Sequence, residues 1–135
     1  MDQHALSNTL LRLSTFNIKN IRANSIYTKA IGQNLDLLAL QEHWLFRFEE
    51  EVLGTLLPDF NFHIKCVDDN DPLSPKNRIR GYGGVAIGWK AHLNHVVKKI
   101  PDGGNRIAVI TVRVHQTPLI VKSCNGPMIK MFYPW

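Results

Sequence analysis

The sequence predicts an α/β fold built on a mixed sheet, and three observations lead there. Two short apolar runs, 11–16 and 37–40, each end in polar residues: Asn17 after the first, Gln41-Glu42 after the second. Between them, Ile26, Tyr27, Ala30, Ile31 and Leu35 recur with helical spacing. Beyond residue 60 the pattern changes to alternating, strand-like runs separated by turn residues. Strand, helix and strand in that order make a β-α-β unit, whose crossover is almost always right-handed.

The first run, Leu11-Arg12-Leu13-Ser14-Thr15-Phe16, carries little charge and reads as a buried parallel-type strand. The helix that follows presents Ile26, Tyr27, Ala30 and Ile31 as its apolar face, with Asn24 or Ser25 as cap. The second strand spans 36–42. Phe46, Phe48, Val52, Leu53, Leu56 and Leu57 then predict a short second helix over 47–57, stopped by Pro58 and Asp59. Residues 60–67 alternate as a strand and lead into the turn-rich Asp68-Asp69-Asn70-Asp71-Pro72. A further strand covers 82–89, where Gly83-Gly84 permits a bulge or close backbone approach. Residues 95–100 alternate weakly, and Pro101-Asp102-Gly103-Gly104-Asn105 is a turn. The runs 106–114 and 118–122, joined through His115-Gln116-Thr117, suit an antiparallel hairpin. Residues 128–135 end in Phe-Tyr-Pro-Trp and read as an atypical C-terminal tail, set apart from a domain over 1–127. All strands are placed in one sheet, and two helices cover only one of its faces. The other face is expected to stay exposed, favouring self-association.

Size and composition fit one globular domain: 135 residues, 44% apolar and 20% charged. A net charge of +5 favours anionic partners, and six Lys/Arg with no acid between Lys76 and Lys99 concentrate that bias. Cys66 and Cys124 lack the spacing of a zinc site or a disulfide framework, which suits a reducing compartment. With no leader-like N-terminus and no long apolar run, a cytosolic or nuclear location and no membrane partner are expected.

Asn17 and Glu42 are the candidate site residues. Both fall at the carboxyl ends of neighbouring parallel strands, where open α/β sheets place their functional crevice. A carboxylate is a ligand for a hard cation, and a carboxamide holds a phosphate or a neighbouring acid without adding repulsion. His43 alternates to the opposite strand face and reads as structural. Asp68, Asp69, Asn70 and Asp71 read as turn chemistry. His92, His95 and His115 have no acidic partner at useful spacing.

Three segments in order carry a family resemblance: Leu13-Ser14-Thr15-Phe16-Asn17, Leu38-Ala39-Leu40-Gln41-Glu42-His43-Trp44-Leu45, and Arg80-Gly81-Tyr82-Gly83-Gly84-Val85-Ala86-Ile87. Over roughly residues 11–127 the chain resembles the amino-terminal half of an endonuclease/exonuclease/phosphatase domain. It is most similar to the apurinic-type endonuclease of non-LTR, LINE-like retrotransposons. The resemblance implies an incomplete four-layer α/β sandwich, cleavage of DNA phosphodiesters, and Mg2+ as cofactor. It assigns Glu42 as metal ligand and Asn17 as the residue ordering metal, phosphate and catalytic acids.

The departures carry equal weight. Pro127 matches the proline of a Tyr-x-Pro segment, but Asn125 stands where the tyrosine belongs. The family's Gly-Asp-Phe-Asn and Ser-Asp-His segments, which bring the general-base aspartate and the phosphate-stabilising histidine, do not occur in these 135 residues. The expectation is a truncated metal-dependent phosphodiesterase domain, inactive by itself. The alternatives are a non-catalytic nucleic-acid-binding remnant using the 76–99 segment, and a phosphatase or sphingomyelinase relative on the same fold.

Overall fold

The computed structural model describes residues 11–69, 83–101, 106–114, 117–124 and 129–132. Two four-stranded sheets pack face to face, and two short helices cover the outer face of the first. In chain order the elements are β1 (Leu13–Asn17), α1 (Ser25–Gly32), β2 (Leu37–Gln41), α2 (Glu51–Leu56), β3 (Phe60–Lys65) and β4 (Val85–Lys90). A 3-10 helix, Ala91–Val96, leads to β5 (Val97–Ile100), β6 (Ile107–Val114), β7 (Thr117–Cys124) and β8 (Ile129–Phe132).

The first sheet has the order β1-β2-β4-β3. β1 and β2 are parallel, with Leu13 opposite Leu37 and Asn17 opposite Gln41; β4 is antiparallel to both β2 and β3. This is the mixed sheet with two helices that the sequence leads one to expect. β2 is buried along its whole length, as a central strand with both faces covered should be. β1 is only half-buried, because it lies at the edge.

The expectation of a single sheet is corrected. β5, β6, β7 and β8 pair only with one another, as consecutive antiparallel neighbours, in a second sheet. Its inner residues Ala108, Ile110, Val112, Leu119 and Val121 meet Leu37, Val85, Ile87 and Trp89 of the first sheet in one core. Strands with apolar residues on both faces look alike in sequence whichever sheet they join. The exposed inner face anticipated from one sheet is therefore covered, and self-association through that face loses its basis. Ile129–Phe132, in the segment set apart as a tail, contributes the fourth strand of the second sheet.

A second core joins the helices to the first sheet through Ile21, Leu38, Leu40, Leu45, Leu53, Leu57 and Phe60. The predicted α1 face is also corrected: Ile26 is 86% and Tyr27 58% exposed, while Thr28 and Gly32 are buried. Gly32 packs closely there: a Cβ would lie 2.7 Å from Leu57 Cδ2, so the Leu57 side chain would have to shift. Polar Thr28 fits the inner face because its hydroxyl donates to the Asn24 carbonyl at 2.9 Å. Asn24 is the N-cap by position, but its amide is spent on the carbonyls of Ile18 and Lys19, at 2.8 and 3.1 Å. The run 47–57 is not one helix but a 3-10 turn at Arg47–Glu49 followed by α2. Among the described residues no helix is long and apolar enough to cross a membrane.

Candidate functional site

Asn17 and Glu42 leave the first sheet at the same edge. Asn17 ends β1 opposite Gln41, and Glu42 is the next residue along β2. Beyond the regular strands the two chains stay joined: Ile18 N–H donates to Gln41 O at 2.9 Å, Asn20 N–H to Glu42 O at 2.9 Å, and Ile21 N–H to His43 O at 3.2 Å. From the other side, Glu42 N–H donates to Gly84 O at 2.7 Å and Trp44 N–H to Gly83 O at 2.9 Å.

Between these tethers the backbone turns left-handed. Glu42 has φ 56° and Trp44 φ 63°; across from them Lys19 and Asn20 are at 44° and 72°. Such φ values cost a non-glycine residue about 1–2 kcal/mol and persist only where the surroundings over-determine them. At Glu42 both backbone groups are held, which fixes where its half-exposed side chain starts. Strained backbone of this kind clusters at functional sites, which keeps Glu42 a candidate.

His43 supplies the lock. The ring is fully buried; its Nδ1 accepts the Leu45 N–H at 2.9 Å, so Nε2 carries the proton and donates to the Lys65 carbonyl at 3.0 Å. Burial away from water lowers its pKa to about 4, against smaller raising contributions from the hydrogen bonds with Lys65 and Val85. The imidazole is neutral at pH 7 and bonds to backbone groups; it lies beyond the end of β2, so its inward position comes from the left-handed turn and not from strand alternation. Gly84 makes room for it: at φ +87°, a Cβ there would come within 2.3 Å of the ring. The Gly-Gly pair thus serves the close approach its sequence allowed.

The segment after His43 is bolted to the end of β3. Val67 N–H donates to Leu45 O at 3.1 Å, and Arg47 N–H to Asp68 Oδ1 at 2.9 Å. The Arg47 guanidinium grips Asp69 (Nε to Oδ1, 2.9 Å, with a second bond to Oδ2), Glu50 at 2.5 Å and the Ile64 carbonyl at 3.1 Å. Burial works against the Asp69 carboxylate, but the Arg47 and Cys66 N–H hydrogen bonds prevail and hold its pKa below the usual value. Asp68 and Asp69 are turn residues, as read from sequence; their clamping by Arg47 was not legible. Asn70 and Asp71 lie outside the described residues.

A second group missed by sequence reasoning sits below Asn17. Gln41 is 1% exposed, and its Nε2 donates to Thr15 Oγ1 at 2.9 Å and to Ser123 Oγ at 3.0 Å, which in turn donates to Leu40 O at 3.2 Å. This polar bridge crosses from β2 to β7, between the sheets. The available signal was parity: Thr15, Asn17 and Gln41 alternate onto the inner face. His92 and His95 lie on the 3-10 helix before β5, far in sequence from this edge. Asn125, Pro127 and His115 lie outside the described residues.

A hard cation suits oxygen donors. One carboxylate and one amide at a sheet edge fit an ion that keeps several waters and shares substrate phosphate oxygens. Among the described residues, however, no group of three or more His, Cys, Asp or Glu gathers to hold a metal. The donor set fits as part of a coordination shell.

No protein-family model matches the sequence, and no curated protein matches it. Solved structures do. The chain superposes on the AP endonuclease LMAP from Leishmania major with a TM-score of 0.58 at 17% identity, covering 84% of this chain and 39% of that one. It superposes on the 3′ phosphatase NExo from Neisseria, solved as its D146N variant with a product DNA hairpin, with a TM-score of 0.51 at 17% identity, covering 82% and 40%. The fold thus resembles that of these two structures, and the chain spans about two-fifths of their length.

Proposed function

We propose that these residues form the amino-terminal part of a metal-dependent phosphodiesterase domain of the DNA-endonuclease type, related to those of non-LTR retrotransposons. One observation carries this reading: Glu42, on a left-handed backbone held from both sides, leaves the sheet one register step from Asn17 at the carboxyl end of the parallel pair. The fold likeness to an AP endonuclease and a DNA 3′ phosphatase supports it.

In this reading Glu42 holds Mg2+ and Asn17 orients a phosphate or an acid beside it. Gln41 fixes the strand end through Thr15 and Ser123. When bound, the cation supplies positive charge at a phosphate oxygen. These 135 residues contain neither Gly-Asp-Phe-Asn nor Ser-Asp-His, so the general base and the phosphate-stabilising histidine of the resemblance have no counterpart here. The chain alone is proposed not to turn over, because members of a cooperating catalytic set fail together.

Terbium luminescence tests the site. Tb3+ should bind, be displaced by Mg2+, and lose its Mg2+-competable signal in Glu42→Gln. An unchanged competable signal in that variant removes Glu42 from the metal site. In parallel, supercoiled plasmid with Mg2+ should remain uncut; nicking that disappears in Glu42→Gln would show a complete catalytic set and overturn the inactive reading.

A further inference from the structure

Large apolar side chains stand in water on one side of the molecule. Of the four exposed among the described residues, three lie in or beside the helices: Ile26 at 86%, Tyr27 at 58% and Phe48 at 68%. Single exposed apolar residues are ordinary, but Ile26 and Phe48 flank one groove. This groove, of about 520 Å³, runs between α1 and α2, and its lining includes Arg22, Lys29, Phe48, Glu51, Val52 and Leu56. Lys29 and Leu56 also line a smaller hollow of about 120 Å³ beyond it, so the furrow follows α1 to Gly32. Tyr27 lies on the other side of α1, edge-on to Phe16.

We propose that this face forms a weak two-fold interface with a second copy of the chain, in which Ile26 of each copy enters the groove of the other. The two walls differ in sign. Residues 18–35 carry Lys19, Arg22 and Lys29 and no acid; residues 48–59 carry Glu49, Glu50, Glu51 and Asp59 and no cation. Arg22 and Glu49 already pair across the groove, and Glu50 pairs with Arg47. Lys29 and Glu51 line the groove with no ion pair among the described residues. A patch that holds both signs, and both a projecting side chain and a furrow, is complementary to itself. A two-fold axis parallel to the groove sets α1 of one copy against α2 of the other, and Lys29 beside the other copy's Glu51, twice over. Ile26 lies on the open shoulder of α1, next to Ser25 and one turn before Lys29 of the lining. From there it meets a floor of Val52 and Leu56, with Phe48 at the groove's end.

This face stays open in the proposed domain, because the helices are already the outer layer of the first sheet. It is also distinct from the inner face, which the second sheet covers. Glu49 and Glu51 in the lining disfavour a polyanion or an anionic membrane as occupant. Helices of eight and six residues, about 12 and 9 Å long, bury less than the roughly 800 Å² per partner of a standard interface. The dissociation constant is therefore on the order of 100 μM. At the few micromolar of a urea titration the chain is a monomer, and Ile26 does not enter its folding stability.

Sedimentation velocity over chain concentrations from about 5 to about 500 μM tests the interface. The mean mass should rise from the monomer towards the dimer and go no further, because a two-fold contact closes on itself. Ile26→Ser should raise the dissociation constant about a hundred-fold, since the change enters the interface twice. Lys29→Glu should raise it about ten-fold, and Lys29→Glu/Glu51→Lys should recover it to within about three-fold of wild type. Lys98→Glu, on the second sheet, should dimerise as wild type. Urea midpoints matching wild type at low concentration would show that the variants fold. The proposal is overturned if wild type stays monomeric throughout, if its mass climbs past the dimer, or if Ile26→Ser dimerises as well as wild type. It also falls if the charge exchange fails to recover the affinity lost in Lys29→Glu, or if Lys98→Glu weakens the dimer as much.

Discussion

At the scale of single residues, His43 and Gly84 decide the shape of the candidate site. His43 is neutral in the fold and protonates only near pH 4, while in the unfolded chain it takes up a proton near its ordinary 6.5. Between those values the unfolded state binds more protons, so stability falls as pH falls. The loss should approach about 3 kcal/mol by pH 4 and be absent above pH 7. Urea midpoints measured from pH 7.5 to 4 should show this slope, and His43→Gln should flatten it. A pH-independent midpoint in wild type over that range would contradict the buried neutral ring. Asp69 has the depressed pKa of a paired acid, so its contribution is lost as pH falls through the ordinary carboxylate value and below, and meets this window only at its acid end. Gly84→Ala places a methyl inside the imidazole at a positive φ, and should cost about 2 kcal/mol or more by denaturant titration. Cys66 is buried, which pushes its thiol up to about 12; a thiol reagent should label it far more slowly than an unfolded control.

At the scale of elements, the helices show what a sequence pattern can and cannot fix. Ile26, Tyr27, Ala30 and Ile31 are spaced as one face, yet the buried face centres on Thr28 and Gly32. In eight residues a helix makes little more than two turns, so several rotations satisfy the spacing equally. The contact with Leu57 then selects the one with glycine inside. Ile26→Ser should therefore leave the urea midpoint within about 0.5 kcal/mol of wild type. Leu53→Ala, in the core beneath the helices, should cost about 2–5 kcal/mol. A large loss at Ile26 would mean that this face of α1 is covered. The parallel pair was legible because its apolar runs and their polar ends are local. The tethers that hold Glu42 and His43 were not, since Gly84 and Asn20, which hold Glu42, and Lys65, which holds His43, come from three distant segments.

At the scale of the molecule, the second sheet changes what the chain should do in solution. One core spans both sheets, and the Gln41–Ser123 bridge joins them in its interior. Far-UV circular dichroism and the fluorescence of buried Trp89 should therefore lose structure at the same denaturant concentration. Two separated transitions would mean that the sheets fold as independent units. Sequence alone did not reveal this arrangement, because alternation gives the faces of a strand but not the sheet that receives them. The positions of Asn17 and Glu42 at their strand ends were readable; the backbone shape around them depends on contacts made after the chain has closed.

That dependence also sets a time order. His43 can seat only when the Lys65 carbonyl is in place and the Gly84 backbone has arrived beside β2. The parallel β1–β2 pair can assemble earlier, from contacts nearer in sequence, with Glu42 still free to relax to ordinary backbone angles. In a refolding experiment, strand signal and apolar collapse should precede any ability to hold Tb3+. A lag between the two would time the arrival of β4. The candidate site would then be a product of the last long-range closure, and its appearance would report that the first sheet is complete.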